Sequence, residues 1–216
     1  MENSSHFQIN DYLKPGRHAH LVGIGGVSMR PLGLVLRSMG MQISGSDMNA
    51  SVSTDELMAK GIAVSIGHRA ENIEGADCVI RTAAANNDNP EIAAARAAGI
   101  PIFERAQAWG YIMKAYRHAI CVSGTHGKTT TTSMLTQIFM EAGKDPTVMI
   151  GGSLPLLGAG HRVGQGDTII LESCEYCNSF LNFFPTTAVV LDIDADHLDF
   201  FKDLEDVKHS FRRFAE

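Results

Sequence analysis

Short apolar runs alternate with helical patterns through the first half of the chain. Residues 20–26, 41–47, 78–84 and 100–103 are apolar runs of strand length, and helical patterns cover residues 29–39, 54–61, 89–99 and 105–116. Proline and glycine mark helix boundaries, with Pro90 in the first turn of one helix and Gly99 at its end. Strands that alternate with helices are typical of a parallel sheet with helices on its faces, so we predict an α/β fold.

The same alternation begins again after residue 116. Strands are predicted at 119–124, 167–173 and 187–194, with a long helix at 128–143 and a helical pattern running to Glu216. The last two strands are apolar enough to predict burial on both faces. We therefore place a domain boundary near residue 106. This gives one domain over residues 1–106 and a second, unfinished one with three strands over residues 107–216.

Composition narrows the class of protein without identifying it. The 216 residues are 44% hydrophobic and 19% charged, with no apolar run long enough to cross a bilayer and no signal-peptide pattern at the N-terminus. These features predict a cytoplasmic protein without a membrane partner. The net charge of −6 argues against nucleic acid as a partner, because neutralising phosphates takes clustered lysine and arginine.

Four cysteines are too sparse for a disulfide framework. Cys78 and Cys121 lie in predicted strands, where a cysteine usually serves as a small buried hydrophobe. Cys174 and Cys177 have the spacing of a metal or redox pair, with Glu175 between them. A zinc site would need two more soft ligands, and the sequence has no second pair, so we expect the carboxylate rather than the thiols to carry the chemistry.

A phosphate-binding loop is the strongest chemical signal in the sequence. Gly124, Gly127, Lys128 and Thr129 stand in SGTHGKTTTT, between a predicted strand and a predicted helix. In such a loop backbone N–H groups surround phosphate oxygens, the lysine reaches the β- and γ-phosphates, and the threonine hydroxyl meets Mg²⁺. Val122 takes the place of the first glycine of the full motif, so the loop is a shortened form. It predicts a nucleoside triphosphate as ligand without specifying the reaction.

Two later strands deliver polar residues to the edge where this loop is expected. Glu175 follows the strand predicted at 167–173. The next strand is followed by the polar cluster Asp194, Asp196, His197 and Asp199. The carboxyl ends of parallel strands meet at one edge of a sheet, and Mg²⁺ prefers oxygen ligands. We therefore predict a metal site beside the phosphate loop.

A second glycine loop, at Gly23, Gly25 and Gly26, follows the first predicted strand and precedes a helix, as in a diphosphate-binding turn. Asp47 stands 47 − 26 = 21 residues beyond the last of these glycines, at the end of the next strand. A dinucleotide enzyme places an aspartate there on a ribose hydroxyl. An NAD-dependent oxidoreductase is therefore one alternative, although Ser28 breaks the third glycine position.

Taken together, these motifs resemble those of the Mur ligase family, ATP-dependent enzymes that build the peptide of bacterial cell-wall precursors. The segments that carry the resemblance span essentially the whole chain: VGIGGVSM, SGSD, GTHGKTTTT, ESCEYCNSF and DIDADHLDFF. Within the family, GIGG followed by GTHGKTTT and ADHLD is most similar to the members that join L-alanine to UDP-N-acetylmuramate.

The resemblance implies a Rossmann-like parallel-sheet N-terminal domain followed by an incomplete P-loop ATPase α/β domain. Residues 1–106 would bind the UDP sugar, residues 107–216 would form the first part of the central ATPase domain, and the C-terminal ligase domain would be absent. The implied partners are UDP-N-acetylmuramate and L-alanine, whose site would lie mostly in the missing C-terminal domain. The implied cofactors are ATP and Mg²⁺. The sugar carboxylate would attack the γ-phosphate, and the L-alanine amine would displace phosphate from the acyl phosphate. We expect these 216 residues alone to be inactive in ligation.

The resemblance also implies roles for individual residues. The catalytic candidates are Lys128, Glu175 and His197. The implied metal ligands are Thr129, Glu175 and His197. The ATP phosphates would lie against Gly124, Thr125, His126, Gly127, Lys128, Thr129 and Thr130. The UDP sugar would lie against Gly23, Gly25, Gly26, Asp47 and His68. His68 fits a surface-loop histidine equally well, and the NPE at 89–91 is interpreted as a helix start rather than as ligands.

Two segments depart from the family pattern. Many members read DESDGSF where this chain reads CEYCNSF, so Cys174 and Cys177 replace acidic residues while Glu175 stays. In GIGGVSMRP, Ser28 takes a usual glycine position. Two further alternatives stay open: the related enzyme that attaches a preformed tripeptide to the same sugar, and a non-catalytic module that binds a UDP sugar.

Overall fold

The computed structural model describes residues 7–216, and the chain divides into two compact units. The first ends at Ala108 and the second covers Trp109–Glu216. Each contains a five-stranded sheet. Among the described residues, no helix combines the length and the apolar character needed to span a membrane.

The first unit is an open, entirely parallel sheet with helices between its strands. Its strands are β1 (His18–Val22), β2 (Gln42–Asp47), β3 (Ala63–Ile66), β4 (Cys78–Arg81) and β5 (Ile102–Glu104). They lie in the order β3-β2-β1-β4-β5. The helices are α1 (Met29–Ser38), α2 (Val52–Ala59), α3 (Pro90–Ala97) and α4 (Arg105–Met113), which contains the division between the units. The chain leaves β1 in one direction and returns beside it as β4, so the strand order reverses between these two strands.

Burial of apolar side chains explains why these elements form. Ala19, Leu21 and Val22 of β1 have no exposed surface, as expected of a central strand covered on both faces. One buried cluster joins the sheet to α3 through Val79 and Ile92. Removing such side chains from water is the main favourable contribution to folding.

The second unit is a mixed sheet. Its strands are β6 (His118–Ser123), β7 (Thr147–Leu154), β8 (Ala159–Arg162), β9 (Thr168–Glu172) and β10 (Thr187–Val190). They lie in the order β10-β6-β9-β7-β8, and β7 and β8 pair antiparallel while the other pairs are parallel. The helices are α5 (Lys128–Glu141) and α6 (Leu204–Ala215), and a 3₁₀ segment, interrupted by a kink at Cys177 and Asn178, covers Tyr176–Asn182. The β6–α5 and β9–3₁₀ junctions both leave the sheet at its carboxyl edge.

The predicted α/β fold with parallel sheets is confirmed, but two details of the strands are wrong. The second unit has five strands rather than three, because the pattern of apolar runs did not predict β7 and β8. In the first unit it did not predict β3. The prediction that residues 187–194 are buried on both faces is also wrong. The strand β10 stops at Val190 and lies at the edge of its sheet, with Ala188 and Val190 exposed.

Candidate functional site

A cleft of ≈ 830 Å³ lies at the carboxyl edge of the first sheet. Residues that follow four successive strands line it, among them Gly23, Gly26, Asp47, His68 and Thr82. The cleft sits where the strand order reverses between β1 and β4, the position at which open parallel sheets bind ligands. Four of the five residues predicted for the UDP sugar therefore line one cleft.

The fifth predicted residue, Gly25, holds the aspartate of the cleft. The N–H of Gly25 donates to Asp47 Oδ2 at 2.9 Å. A Cβ atom at position 25 would lie 2.9 Å from the same oxygen, so any side chain would push the carboxylate away. Gly23 is constrained as well, since its φ is +80° and a Cβ there would lie 2.8 Å from Thr82 Cγ2. Asp47 is thus fixed against the glycine loop.

The N-terminus of α3 borders the same cleft. Asn89 caps this helix by accepting from the N–H of Glu91 at 2.9 Å, and Asn89 and Pro90 both line the cleft. The first turn of a helix carries a partial positive charge and free N–H groups, which favour an anionic ligand. The interpretation of NPE as a helix start is confirmed.

Glu91 has a second role that the sequence did not indicate. Its side chain is completely buried and accepts from Ser46 Oγ at 2.6 Å and from Asn72 Nδ2, and its Oε2 lies 3.2 Å from His68 Nδ1. Burial raises the pKa of a carboxyl group, but the neighbouring His20 and the donors Ser46 and Asn72 outweigh it and lower the pKa of Glu91 to about 2. A buried, ionised carboxylate therefore lies directly behind a residue of the cleft.

The predicted phosphate loop of the second unit runs from the end of β6 into α5. Gly124 has a φ of +137°, and Gly127, the N-cap of α5, has a φ of +79°, so both glycines adopt backbone conformations that side chains disfavour. Lys128 Nζ donates to the carbonyls of Gly124 at 2.5 Å and Thr125 at 3.2 Å. The lysine is folded back over its own loop.

The same lysine meets the carboxylate predicted from the later strand. Lys128 Nζ lies 3.2 Å from Glu175 Oε2, and Glu175 is only 1% exposed. Glu175 follows β9, which is the neighbour of β6 in the sheet. The structure thus brings together two residues that are 47 positions apart in the sequence.

The loop is also tied to the segment that follows β10. The N–H of His126 donates to Asp192 Oδ1 at 2.8 Å, and the N–H of Asp194 donates to Thr125 Oγ1 at 2.9 Å. A carboxylate oxygen of Asp192 therefore already accepts a hydrogen bond from one N–H group of the loop, as a phosphate oxygen would. Asp192 was missed by sequence reasoning, because only the pairing of β10 with β6 brings it to the loop.

A second carboxylate that sequence reasoning did not select, Glu172, contacts the predicted metal ligand Thr129. The Thr129 hydroxyl donates to Glu172 Oε1 at 3.1 Å, and the N–H of Gly151 donates to Glu172 Oε2 at 2.8 Å. Thr129 and its neighbour Thr130 are both exposed in the first turn of α5. The signal for Glu172 was available, since it is the last residue of a strand that ends at the carboxyl edge.

Three side chains form a candidate metal site beside the lysine. Ligand atoms of Glu175, Asp196 and His197 all lie within 4.8 Å of one another. Two carboxylates and one imidazole suit a hard or borderline divalent cation such as Mg²⁺ or Mn²⁺. The structure therefore groups Asp196 with Glu175 and His197, two of the three implied metal ligands. The third, Thr129, is not in this group and contacts Glu172 instead.

Tyr176 packs against this candidate metal site. Its ring centroid lies 4.8 Å from that of His197, and its hydroxyl donates to Asp199 Oδ2 at 2.9 Å. The hydrogen bond to Asp199 raises the pKa of the Tyr176 hydroxyl. His197 itself has a φ of +51°, an uncommon backbone conformation for a residue with a side chain.

The cysteines divide as the sequence indicated. Cys78 and Cys121 are fully buried, and burial raises the pKa of each thiol to about 12, so both are confirmed as buried hydrophobes. Cys174 is half-buried and Cys177 is exposed, and neither is in a disulfide. The candidate metal ligands are carboxylates and an imidazole rather than these thiols.

Two family models match this chain, one over each unit. A model described as the catalytic domain of the Mur ligase family matches residues 18–117, and a model of the Mur ligase middle domain matches residues 122–216. The chain belongs to the Mur ligase family. The resemblance inferred from the motifs is confirmed.

Individual relatives of this Mur ligase chain cover almost all of it. A UDP-N-acetylmuramate–L-alanine ligase of Agathobacter rectalis is 52% identical over 206 residues, which are 95% of this chain and 45% of that protein. The crystal structure of a UDP-N-acetylmuramate-alanine ligase from Thermotoga maritima matches with a TM-score of 0.84 and 31% identity, over 92% of this chain and 46% of that one. The chain spans about half the length of the curated relatives it matches.

A related enzyme matches equally well in structure. It is the UDP-N-acetylmuramate:L-alanyl-gamma-D-glutamyl-meso-diaminopimelate ligase from Neisseria meningitidis. Its TM-score is 0.84 and its identity is 28%, over 92% of this chain and 67% of that one. Fold alone therefore does not separate the two kinds of Mur ligase.

Proposed function

We propose that this chain carries the UDP-sugar and Mg-ATP sites of an ATP-dependent ligase that joins L-alanine to UDP-N-acetylmuramate. The observation that carries the proposal is the meeting of Lys128, Glu175 and His197 at the end of a phosphate loop, in a chain of this family. The choice of L-alanine rests on curated relatives at 48–52% identity that are named for that reaction.

The two units divide the substrates. We assign the UDP sugar to the first domain, predicted at 1–106, where the cleft contains Asp47, His68 and the glycine loop. We assign ATP to the second, predicted at 107–216, as the N-terminal part of the central ATPase domain. Free N–H groups and a lysine at the start of α5 suit a triphosphate. A cytoplasmic location remains the expectation from the sequence.

The proposed reaction has two steps. The carboxylate of the sugar attacks the γ-phosphorus of ATP and ADP leaves, which produces an acyl phosphate. The amine of L-alanine then attacks the acyl carbon, inorganic phosphate leaves and an amide bond forms. The first step brings two anions together, so its barrier is largely electrostatic.

Residues of this chain would lower that barrier by positioning and charge. Lys128 would exchange its contact with Glu175 for phosphate oxygens, and the N–H of His126 would exchange Asp192 for the same ligand. Glu175, Asp196 and His197 would hold a divalent cation. The family resemblance adds the hydroxyl of Thr129 as a further oxygen ligand, which would have to exchange its contact with Glu172. Such a cation, when bound, would neutralise negative charge on the phosphate groups that the sugar carboxylate approaches.

The main alternative is a ligase that attaches a preformed tripeptide to the same sugar. The structural match to the Neisseria meningitidis enzyme supports it, at a lower identity than the curated L-alanine ligases. Both reactions would use the same UDP sugar and Mg-ATP sites. The alternatives separate only when L-alanine and the tripeptide are compared as substrates.

Calorimetric titration with UDP-N-acetylmuramate tests the assignment of the first unit. We expect the wild-type chain to bind it, Asp47→Ala to bind at least about 10-fold more weakly because it loses a charge-assisted hydrogen bond, and Asp55→Ala on α2 to match the wild type. Failure of the wild type to bind, or binding of NADH at the same cleft, would overturn the assignment.

An assay of the second step tests a separate expectation. Because the chain spans 45% of the length of its relatives, we expect the 216 residues alone to bind the UDP sugar and Mg-ATP without forming the amide. Robust L-alanine ligation by the purified chain would contradict that expectation. It would also decide between L-alanine and the tripeptide directly.

A further inference from the structure

Glu91 lies directly behind the cleft of the first unit. No part of it is exposed, although it stands in the first turn of α3, beside Asn89 and Pro90 of the cleft wall. A buried carboxylate is costly unless it is hydrogen-bonded and its charge is compensated. What surrounds Glu91 therefore indicates what it does.

The partners of Glu91 lie on two strands of the same unit, on the turn after β3 and in the 3₁₀ segment Ala70–Ile73 that follows this turn. Ser46 Oγ, near the end of β2, donates to Glu91 Oε2 at 2.6 Å, and His20 Nε2, on β1, lies 3.7 Å from Oε1. His68 Nδ1 lies 3.2 Å from Oε2. Asn72 Nδ2 donates to Glu91 Oε1 and also to the carbonyl of Gly67 at 3.0 Å. Glu91 thus holds the turn after β3, which carries His68, through two separate side chains.

The hydrogen bonds fix which nitrogen of His68 carries a hydrogen. The Ser46 hydroxyl gives its hydrogen to Glu91, so its oxygen can only accept from His68 Nδ1, which is 3.0 Å away. The ionised carboxylate of Glu91 also only accepts. Both neighbours of Nδ1 are acceptors, so Nδ1 is protonated and donates. The other nitrogen, Nε2, is on the opposite side of a ring that lines the cleft and is 12% exposed.

This arrangement suits an anion in the cleft. With Nδ1 protonated, Nε2 can donate to a ligand only when the ring carries a positive charge. The negative charge of Glu91 compensates that positive charge from behind, and Asp47, at the cleft, contributes a second negative charge nearby. His20 is the other titratable group at Glu91, on the side of Oε1.

We propose that Glu91 is a positioning residue that orients His68 and compensates its charge, so that Nε2 donates to a diphosphate oxygen of the nucleotide sugar. The inference rests on the proposed function in one respect, namely that the ligand of the cleft is a UDP sugar. It assigns the diphosphate to His68, and it makes Glu91 part of ligand recognition without ligand contact.

A double-mutant cycle with UDP as the probe tests the coupling. Calorimetry compares the wild-type chain with Glu91→Gln, His68→Gln and the double variant. We expect each single substitution to weaken UDP binding about 10-fold, and the double variant to bind about as weakly as His68→Gln rather than about 100-fold more weakly than the wild type. Glu74→Gln, an exposed glutamate near the same loop, is the matched control and is expected to bind like the wild type.

Nitrogen NMR of the His68 ring reports which ring nitrogens carry a hydrogen. A Glu91 that only stabilised the fold would not change this protonation pattern. In the wild type we expect Nδ1 to be protonated without ligand and both ring nitrogens to be protonated with UDP bound. In Glu91→Gln we expect the Nδ1 signature to be lost while the melting profile remains cooperative. Because the wild-type spectrum alone is decisive, the proposal stays testable if Glu91→Gln does not fold.

The outcomes separate this inference from the function on which it rests. If the wild type does not bind UDP, the assignment of the cleft fails and the inference fails with it. If the wild type binds UDP but His68 is protonated only at Nε2, or the two single effects multiply, the cleft assignment stands and the role of Glu91 is overturned.

Discussion

At the phosphate loop, one glycine is required by both its backbone and its neighbours. Gly124 has a φ of +137°, and a Cβ atom there would lie 3.0 Å from Leu191 Cβ and 3.2 Å from the backbone nitrogen of Asp192. We expect Gly124→Ala to weaken Mg-ATP binding by more than about 10-fold, because the loop must move to relieve these contacts. Calorimetry with Mg-ATP measures the effect.

Gly143 supplies the control for that substitution. It also has a positive φ, +67°, but a Cβ there meets nothing within 4 Å. We expect Gly143→Ala to cost about 1 kcal/mol of unfolding free energy and to leave ATP binding unchanged. If Gly124→Ala and Gly143→Ala weakened ATP binding equally, the crowding of the phosphate loop around Gly124 could not be the cause of the effect.

Substitutions of Glu175 and Cys177 are expected to have different effects on metal binding. With Mn²⁺ as a paramagnetic probe, we expect Glu175→Gln to abolish the tight site and Cys177→Ser to change affinity by less than about threefold, since hard cations select oxygen ligands. Loss of Mn²⁺ binding in Cys177→Ser would show that the Cys177 thiol, and not only the carboxylate of Glu175, takes part in metal binding.

The low pKa of Glu91 predicts that the folded chain loses unfolding free energy in acid. Its pKa is 4.5 when unperturbed and about 2 in the folded chain, so the folded state favours the ionised form. The contribution, on the order of 3 kcal/mol, is present above about pH 4.5 and disappears as the pH falls toward 2. The difference in unfolding free energy between wild type and Glu91→Gln should therefore shrink over that range. A difference that does not change with pH would contradict the low pKa.

Spacing along the chain indicated some site residues and could not indicate others. Lys128 and Gly124 belong to one loop, so their spacing was enough. Asp192 and Glu91 act on residues that are 66 and 23 positions away, His126 and His68. Those contacts depend on which strands are neighbours and how helices pack on them, which no local pattern specifies.

Among the elements, α6 supports the segment that carries Glu175. The ring of Phe180, in the 3₁₀ segment, stacks on Phe214 with centroids 4.5 Å apart and meets Phe211 edge to face at 5.2 Å. Asn178 Oδ1 also accepts from Ser210 on α6. The buried face of this last helix, which includes Phe211 and Phe214, thus packs against a segment close to the candidate metal site.

Phe211→Ala tests this support. Phe211 is 2% exposed, and we expect its truncation to cost about 3–5 kcal/mol of unfolding free energy and to weaken Mn²⁺ binding, because the segment after Glu175 loses its anchor. Phe184→Ala, which removes a ring that is 52% exposed, should cost about 1 kcal/mol or less and leave Mn²⁺ binding unchanged. Equal costs would contradict the packing described for α6.

The strands that were missed share a physical cause. The strand β7 contains two adjacent glycines, β8 (AGHR) has no apolar run, and β3 is short and partly exposed. Conversely, the apolar residues of β10 predicted a buried strand although it is an edge strand. Apolar runs therefore located the central strands β1, β4, β6 and β9 but did not report position in the sheet.

At the scale of the whole molecule, the order of motifs was more informative than any one of them. Alternating strands and helices predicted the α/β fold, and the order of glycine loop, phosphate loop and acidic segments predicted the family. The family models that match residues 18–117 and 122–216 confirm that prediction. The assignment of one ligand to each unit remains a prediction. It depends on chemistry at each sheet edge rather than on the fold.

Magnesium-dependent ATP binding tests the central claim, that Lys128 and Glu175 gather a triphosphate and a divalent cation at one sheet edge. Calorimetry compares titrations of ATP in Mg²⁺ and in EDTA for the wild type, Lys128→Met, Glu175→Gln and the exposed control Lys144→Met. We predict that the wild type and Lys144→Met bind ATP much more tightly in Mg²⁺, that Glu175→Gln loses this gain, and that Lys128→Met binds weakly in both. ATP affinity that is the same in EDTA, or unaffected by Glu175→Gln, would contradict the account.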